Sequence, residues 1–420
     1  MKIKSISTIF MFITSITLMI LGLFMIFNPI YLESMIINII YLLSIIIGVF
    51  SIVSYIFSKD KRILKHILSG CLCIIVGILI KTKIILIEQS LVFIIGIYAF
   101  INFIAEFINA IILYENKVKG RVKQVISSFI SLSFSLILIT HPLESIGLVS
   151  TISGIYLILY GLTVLNDFIS EVFNTNNIKN NLKRRIRIRL PIIYSAFIPQ
   201  KILESINSAL EIEPKEIYVD SKSEETGELE VFIHLGKMCA NGFGHVDICY
   251  KDIIYSYGTY DDSSDRLFDF VSDGVLIESN RDEYIKFNTK NRRLVSFVLS
   301  LNDDQCEAVE KKINKLKSKC NRWYCEAELN PNRTYEDYTN ALYLATNAKF
   351  YKFKYGYFKT YFALTTNCVK LADVIIGAAG IDSISINGII TPGVYFKFLD
   401  KLFKMKNAIV IKRNIYPLIR

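Results

Sequence analysis

The chain contains four histidines and eight cysteines. One pair stands where a nucleophile and its base belong. Cys368 lies within Thr365-Thr366-Asn367-Cys368-Val369. That is the expected junction between a short apolar strand (361–365) and a helix (369–379) closed by Gly380. The positive end of a helix dipole stabilises a thiolate and lowers a cysteine pKa. His245 follows the turn-rich run Asn241-Gly242-Phe243-Gly244 and opens a strand. There an imidazole stands at the rim of a sheet, within reach of a reactant. Such a thiol and imidazole suit acyl transfer: sulfur attacks a carbonyl while the imidazole takes and returns the proton. Each residue alone has a plainer reading, Cys368 as a small buried apolar group and His245 as a structural histidine. His66 and His141 flank apolar segments, and His234 lies inside an alternating strand. Cys249 is mid-strand, and Cys239, His245 and Cys249 lack the short-spaced pairs of a zinc site, so no metal and no cofactor is expected. Cys320 and Cys325 would pair only in an oxidising compartment.

The elements around the pair are α+β in order. Leu229–Leu235 alternates as a strand. His245–Tyr250 and Ile253–Tyr257 form a hairpin turning at Lys251-Asp252, and Leu294–Leu299 is a further strand. Lys201–Leu210 has a helical pattern. Asn302 caps a helix to about Lys319, with Gln305 at the capping-box position. Thr391-Pro392 opens a last helix. The expected domain is a small antiparallel sheet with helices packed on it. Lys349–Phe362 mixes four lysines (Lys349, Lys352, Lys354 and Lys359) with eight aromatics and has no acidic residue. It reads equally as a headgroup-level surface on an anionic leaflet or as strands whose aromatics enter the core.

Three stretches, 244–261 (GHVDICYKDIIYSYGTYD), 365–382 (TTNCVKLADVIIGAAGID) and 391–401 (TPGVYFKFLDK), resemble the circularly permuted NlpC-type papain-like hydrolases. In that arrangement, shared by the lecithin:retinol acyltransferase-like enzymes, the histidine strand precedes the cysteine helix, as it does here. The similarity covers roughly residues 228–402. It implies a papain-like fold, Cys368 as nucleophile and His245 as base. It also implies a polar third group on the strand after the histidine. That strand offers Tyr255, Ser256 and Tyr257, with Asp261 just beyond; Tyr257 is first by spacing and Asp261 second. None is the Glu, Gln, Asn or second His of the family pattern.

This domain occupies only half of the sequence. Hydrophobic residues make up 52% of the 420 and mean hydropathy is +0.40, too apolar for an ordinary soluble chain. The apolar excess precedes residue 170, in stretches at 6–28, 30–57, 67–86, 87–114, 124–141 and 143–167. A bilayer core needs about 20 helical residues per span, so six transmembrane helices are expected. The first, after Lys2 and Lys4, is longer than a signal-peptide core and is read as retained. Short turns at Asn28-Pro29, 81–83 and His141-Pro142 alternate with basic loops at 58–65 and 115–123. Gly22, Gly77 and Ser135 recur in the first helix of each pair and Tyr41, Tyr98 and Tyr156 in the second. The six helices therefore read as three hairpin repeats, whose small residues allow close approach. With the GIY of 96–98 and 154–156 and the turn prolines Pro29 and Pro142, residues 5–170 resemble the HdeD-like six-helix membrane proteins. That family is associated with acid stress in bacteria, and the resemblance carries fold only. Glu106, with Asn102 and Asn109, is the main polar feature within a span; no chain of ionisable groups crosses the membrane, which argues against a transporter.

The expected organisation is multi-domain. An all-α transmembrane bundle (1–170) is followed by a basic juxtamembrane linker (171–200), a permuted papain-like domain (201–405) and a C-terminal tail (406–420). The net charge of +10 is assigned to topology-setting loops and not to nucleic acid. Lipid bilayer, anionic headgroups and an acyl or peptide substrate are the expected partners. The expected activity is that of a membrane-tethered cysteine hydrolase or acyltransferase acting on an amide, ester or thioester. Its rivals are a non-catalytic stress-related membrane protein, and a cell-wall peptidase if the domain faces outside. The expected location is the plasma membrane, with the N-terminus and C-terminal domain cytoplasmic. Reporter fusions after residues 60 and 120 and at the C-terminus should all report cytoplasm, and one after Pro142 the outside; an external C-terminus would overturn this orientation.

Overall fold

The computed structural model describes residues 6–57, 63–82, 84–118, 121–173, 218–222, 228–235, 244–267, 270–381, 392–404 and 409–418. The expected helix at 201–210 and the basic linker lie outside the described residues. Two compact units emerge: Met1–Glu106 with Ile126–Phe168, and Phe107–Val125 with Ile169–Arg420.

The first unit is helical: α1 (Ile6–Phe27), α2 (Pro29–Phe57), α3 (Ile63–Thr82), α4 (Ile84–Glu115), α5 (Arg121–Thr140) and α6 (Ile146–Phe173), with the unit boundary running through α4, α5 and α6. Among the described residues, Ile9–Phe27, Val92–Glu115, Arg121–Thr140 and Ile146–Asn166 are long and apolar enough to cross a membrane, and Asn38–Val53 and Leu68–Thr82 are shorter apolar helices. Their large side chains are widely exposed, among them Phe10, Phe50 and Ile130. The chain is a membrane-embedded protein, because in water this surface would be among the largest penalties it could carry.

With both environments apolar, helices in lipid associate through close backbone approach. The repeated small residues supply it. A Cβ on Gly77 would sit 3.0 Å from Ser44 of α2, and one on Gly22 would sit 2.6 Å from the Gly154 carbonyl of α6. The Ser135 hydroxyl of α5 donates to the Gly96 carbonyl of α4 at 2.9 Å. In each case the first helix of one repeat meets the second helix of the preceding one, and α1 meets α6. Ser150 of α6 adds a bond to the Met25 carbonyl of α1 at 3.0 Å. Glu106 of α4 accepts from Ser131 and Ser127 of α5 at 2.9 and 3.3 Å and from Asn102 at 3.3 Å. It is thereby paired across helices and not left as an isolated charge.

The second unit is built on a nine-stranded antiparallel sheet. Its strands are β1 (Tyr218–Ser221), β2 (Leu229–Leu235), β3 (His245–Tyr250), β4 (Ile253–Gly258), β6 (Val275–Asn280), β7 (Arg293–Leu299), β8 (Cys320–Trp323), β9 (Lys349–Phe353) and β11 (Val410–Tyr416). Their order is β1-β11-β7-β2-β3-β4-β6-β9-β8. A separate pair joins β5 (Val271–Asp273) to β10 (Thr360–Phe362). Helices α7 (Arg281–Asn288), α8 (Asp303–Lys317), α9 (Glu326–Leu329), α10 (Tyr338–Thr346), α11 (Cys368–Ile376) and α12 (Pro392–Lys404) complete the unit.

Strand β2 is buried along its whole length, because helices cover both faces. Leu229, Val231, Ile233 and Leu235 join the core containing residues of α8, α11 and α12. Phe232 joins the opposite core, with Tyr284 and Leu342. The turn between β3 and β4 places Lys251 and Asp252 at φ 51° and 57°, the primed geometry that matches strand twist. At α8, the Asn302 side chain accepts from the Gln305 N–H while the Gln305 side chain accepts from the Asn302 N–H.

The sheet is larger than expected, and residues 406–420 are not a tail. β11 lies between β1 and β7. Its polar residues hid it, yet two of them find partners in the fold. Arg413 pairs with Asp400 at 2.8 Å and Asp220 at 3.1 Å, and Asn414 donates to Ser296 at 3.2 Å.

Replacing Gly22 by Ala should lower the melting temperature of the detergent-solubilised protein, since overpacking costs about 1–3 kcal/mol. Gly147→Ala, where a Cβ meets nothing within 4 Å, should be neutral or mildly stabilising. Equal melting of the two variants would refute the close-approach contact.

Candidate functional site

Cys368 is the first residue of α11, and its presentation is fixed by the residues before it. The Phe362 and Thr366 backbones bond each other across a tight turn, at 2.9 and 3.3 Å. Asn367 caps the helix: its side-chain oxygen accepts from the Lys370 N–H at 3.0 Å, while its Nδ2 donates to the Ala363 carbonyl at 2.9 Å. The thiol thus stands at the positive end of a helix dipole, beside N–H groups that have no acceptor within the helix. It is 4% exposed.

His245 opens β3, and Cys368 lies near enough to its imidazole for the sulfur to raise the ring's pKa. The Nε2 atom of that ring is 2.8 Å from Asp247 Oδ1. Ser256 Oγ and Tyr260 Oη approach the same nitrogen at 2.9 and 3.1 Å. The ring retains 15% side-chain exposure, whereas Asp247 has none. Burial alone would depress the His245 pKa, but the Asp247 carboxylate and the Cys368 sulfur outweigh it and hold it well above 6.5. Burial would likewise raise Asp247, yet His245 and His234 hold it well below the usual carboxylate range. Cys368, His245 and Asp247 thus bring together a thiol, an imidazole of raised pKa and a buried carboxylate, the groups that a sulfur nucleophile and its base require.

The carboxylate beside His245 therefore belongs to Asp247, two residues along the same strand. Tyr257 and Asp261 are placed elsewhere. The Tyr257 hydroxyl donates to the Phe358 carbonyl at 3.0 Å, within an aromatic cluster of Phe353, Phe358 and Tyr361. Gly274 keeps that position open, since a Cβ there would be 2.6 Å from the Tyr257 hydroxyl. Asp261 pairs with Lys352 and accepts from Ser263 at 2.6 Å. Of the family's expected strand, Ser256 is the residue that meets His245. The His-x-Asp spacing was available in the sequence as a signal, because residues two apart on a strand share a face.

The remaining expectations sort by burial and charge. Cys249 is 4% exposed, and burial pushes its thiol far above the ordinary range, unlike a nucleophile. Cys239 lies outside the described residues. Among those described, no group of three His, Cys, Asp or Glu side chains is disposed to hold a metal. In 349–362, Phe350, Phe353, Phe358 and Phe362 are buried, so this segment is structural along its aromatic side. Lys352 is committed to Asp261 and to Asp273 at 3.0 Å, whereas Lys349 and Lys354 are exposed and Lys359 is half-buried.

Asp247→Asn removes the partner that raises His245. The raised imidazolium is complete below about pH 6.5 and is lost as pH rises through its folded value. The imidazolium beside the sulfur should assist iodoacetamide alkylation of wild-type Cys368 at pH 6. In Asp247→Asn the rate at pH 6 should fall about tenfold or more, while Tyr257→Phe should leave the profile unchanged.

Residues 13–82 match a family model described as a short repeat of unknown function (DUF308), the repeat of HdeD-like membrane proteins. No curated protein and no solved structure matches the chain. The membrane half is thus similar to that repeat over α1, α2 and α3, and the C-terminal unit stands on its own geometry.

Proposed function

We propose that the protein is a membrane-tethered cysteine-dependent hydrolase or acyltransferase. The observation that carries the reading is the thiol of Cys368, at a helix N-terminus and within reach of a histidine that is itself backed by the buried carboxylate of Asp247. Sulfur attacks the carbonyl of an amide, ester or thioester, and the C–S bond forms as the carbonyl electrons move onto oxygen. The Cys368 backbone N–H helps hold that oxyanion. Collapse expels the leaving group, which takes its proton from the His245 imidazolium. Water or an acceptor nucleophile, deprotonated by His245, then attacks the thioester and releases sulfur. Asp247 keeps the imidazolium in place throughout.

The finer architecture follows the same reading: a six-span bundle of three hairpins, a permuted papain-like domain, and an orientation that puts both termini in the cytoplasm of a plasma-membrane protein. A lipid-linked acyl substrate is favoured over a peptide one. Within the second unit, Thr365 donates to Asn109 at 3.0 Å and Asn116 to Thr360 at 3.1 Å, and Asn109 belongs to the apolar span Val92–Glu115. Ile112 shares a core with Val271 and Phe362. The turn that presents Cys368 thereby bonds to the C-terminal end of α4, which supports a membrane-associated substrate. The exposed Lys349 and Lys354 suit anionic headgroups there.

In native membranes, a thiol-directed acyl probe should label the full-length protein at Cys368. Cys368→Ala and His245→Ala should each lower labelling by several orders of magnitude, because nucleophile and base act as one unit. Cys249→Ala should leave it intact. Labelling that survives both substitutions would leave a non-catalytic membrane protein.

A further inference from the structure

His234 is wholly buried and lies opposite His245 in the pairing of β2 with β3. Its Nε2 is 2.6 Å from Asp247 Oδ2, and the two imidazoles meet edge-on with centroids 5.2 Å apart. The acyl-transfer chemistry described above uses Cys368, His245 and Asp247 but not this second histidine. Asp247 therefore sits between two rings, one oxygen directed to each. Its Oδ2 also accepts from the Tyr284 hydroxyl of α7 at 2.8 Å.

We propose that His234 is a positioning residue for the nucleophile: a neutral histidine that donates to Asp247 Oδ2 and leaves Oδ1 free to serve His245. The proposal rests on the Cys368–His245 reading. An ionised carboxylate is acceptor-only, so both oxygens need donors when no water reaches them. Tyr284 and His234 satisfy Oδ2, and the rotamer that serves them points Oδ1 at His245. The arrangement also fixes the tautomer of His234, which carries its proton on Nε2. Its Nδ1 has no hydrogen-bond partner among the described residues, consistent with a bare ring nitrogen that no acid contacts. The groups facing His234 are Asp247 and His245 from β3, Tyr284 from α7, and the charge of Arg292 before β7. Burial, with the two cationic neighbours, outweighs the carboxylate and lowers the His234 pKa to about 4. The cluster then holds one imidazolium, on the ring that faces sulfur.

The test measures the pH dependence of iodoacetamide alkylation at Cys368, by mass spectrometry on the full-length protein in detergent. The wild-type rate at pH 6 is the reference. His234→Leu removes the donor and should slow alkylation at pH 6 about tenfold, the equivalent of one pKa unit. His234→Gln, which keeps an N–H near Nε2, should recover most of that rate. Combining His234→Leu with Asp247→Asn should be no slower than Asp247→Asn alone, because His234 acts through Asp247. A wild-type profile in His234→Leu, or full additivity in the double variant, overturns the proposal and leaves the dyad standing. A wild-type protein whose Cys368 titrates as a free thiol, near pH 8.5, removes the dyad itself. Should His234→Leu fail to fold, histidine C2-hydrogen exchange on the wild type decides. His234 should show no titration between pH 5 and 8, and a midpoint near 6.5 would overturn its neutral donor role.

Discussion

A carboxylate with no access to water governs the C-terminal unit. Removing such a group from solvent costs several kcal/mol before any partner is counted. Asp247 is made tolerable by hydrogen-bond donors on two elements, His234 on β2 and Tyr284 on α7, and by the His245 imidazole 2.8 Å away on its own strand. Each requirement propagates. The β2–β3 register must place His234 opposite His245; a slip of one residue would turn the histidine into the opposite core. Helix α7 must begin where Tyr284 reaches the sheet, and the Asn280 side chain secures this by accepting the Asp282 and Glu283 N–H groups. The tyrosines 260 and 338, stacked at 5.9 Å, pack on the same side as this cluster. The strand order, the helix cap and the aromatic wall are consequences of keeping one charge dry.

Much of this was legible in the residues. The apolar runs located the helices of the first unit to within a few positions, because burial in lipid demands length and leaves little choice of pattern. Asn302 and Gln305 announced α8, and Asn367 with Gly380 bracketed α11 and the 3-10 turn after it. Cys368 and His245 were legible for the same reason, since both stand at element ends marked by turn and cap residues. Other features depended on distant partners. The His-x-Asp spacing places Asp247 on the face of His245, but its bond to His234, thirteen positions earlier, depends on the pairing of β2 with β3. Strand β11 reads as charged until Asp220 and Asp400 are brought to Arg413. Lys352 reads as a free cation until Asp261 and, from the end of β5, Asp273 arrive from some eighty or ninety residues away. In each case the missing information was a contact, and local sequence carries none.

The two units solve the same problem with opposite materials. In the C-terminal unit, specificity comes from polar groups that tolerate one arrangement only. In the helical unit it comes from the absence of side chain, at Gly22, Gly48, Gly70, Gly77 and Gly154, where backbones meet. Polar contacts add to this fit by shape: Ser135 and Ser150 each bond a carbonyl of a neighbouring helix, and Glu106 with its two serines clasps α4 to α5.

The contact between Gly22 and Gly154 also constrains how the protein is made. A ribosome delivers α1 first and α6 last among the six helices, so the helix carrying Gly22 enters the bilayer long before its partner exists. Until then its small-residue face is open to lipid, to stray helices or to an insertion factor. The pairings of α2 with α3 and of α4 with α5 close between neighbours as they emerge. The α1–α6 contact is different: it joins the ends of the helical unit and completes only after more than 130 further residues have been synthesised. Assembly of the bundle is therefore gated by its last helix, and a chain truncated before α6 would remain an open arc with an unsatisfied seam.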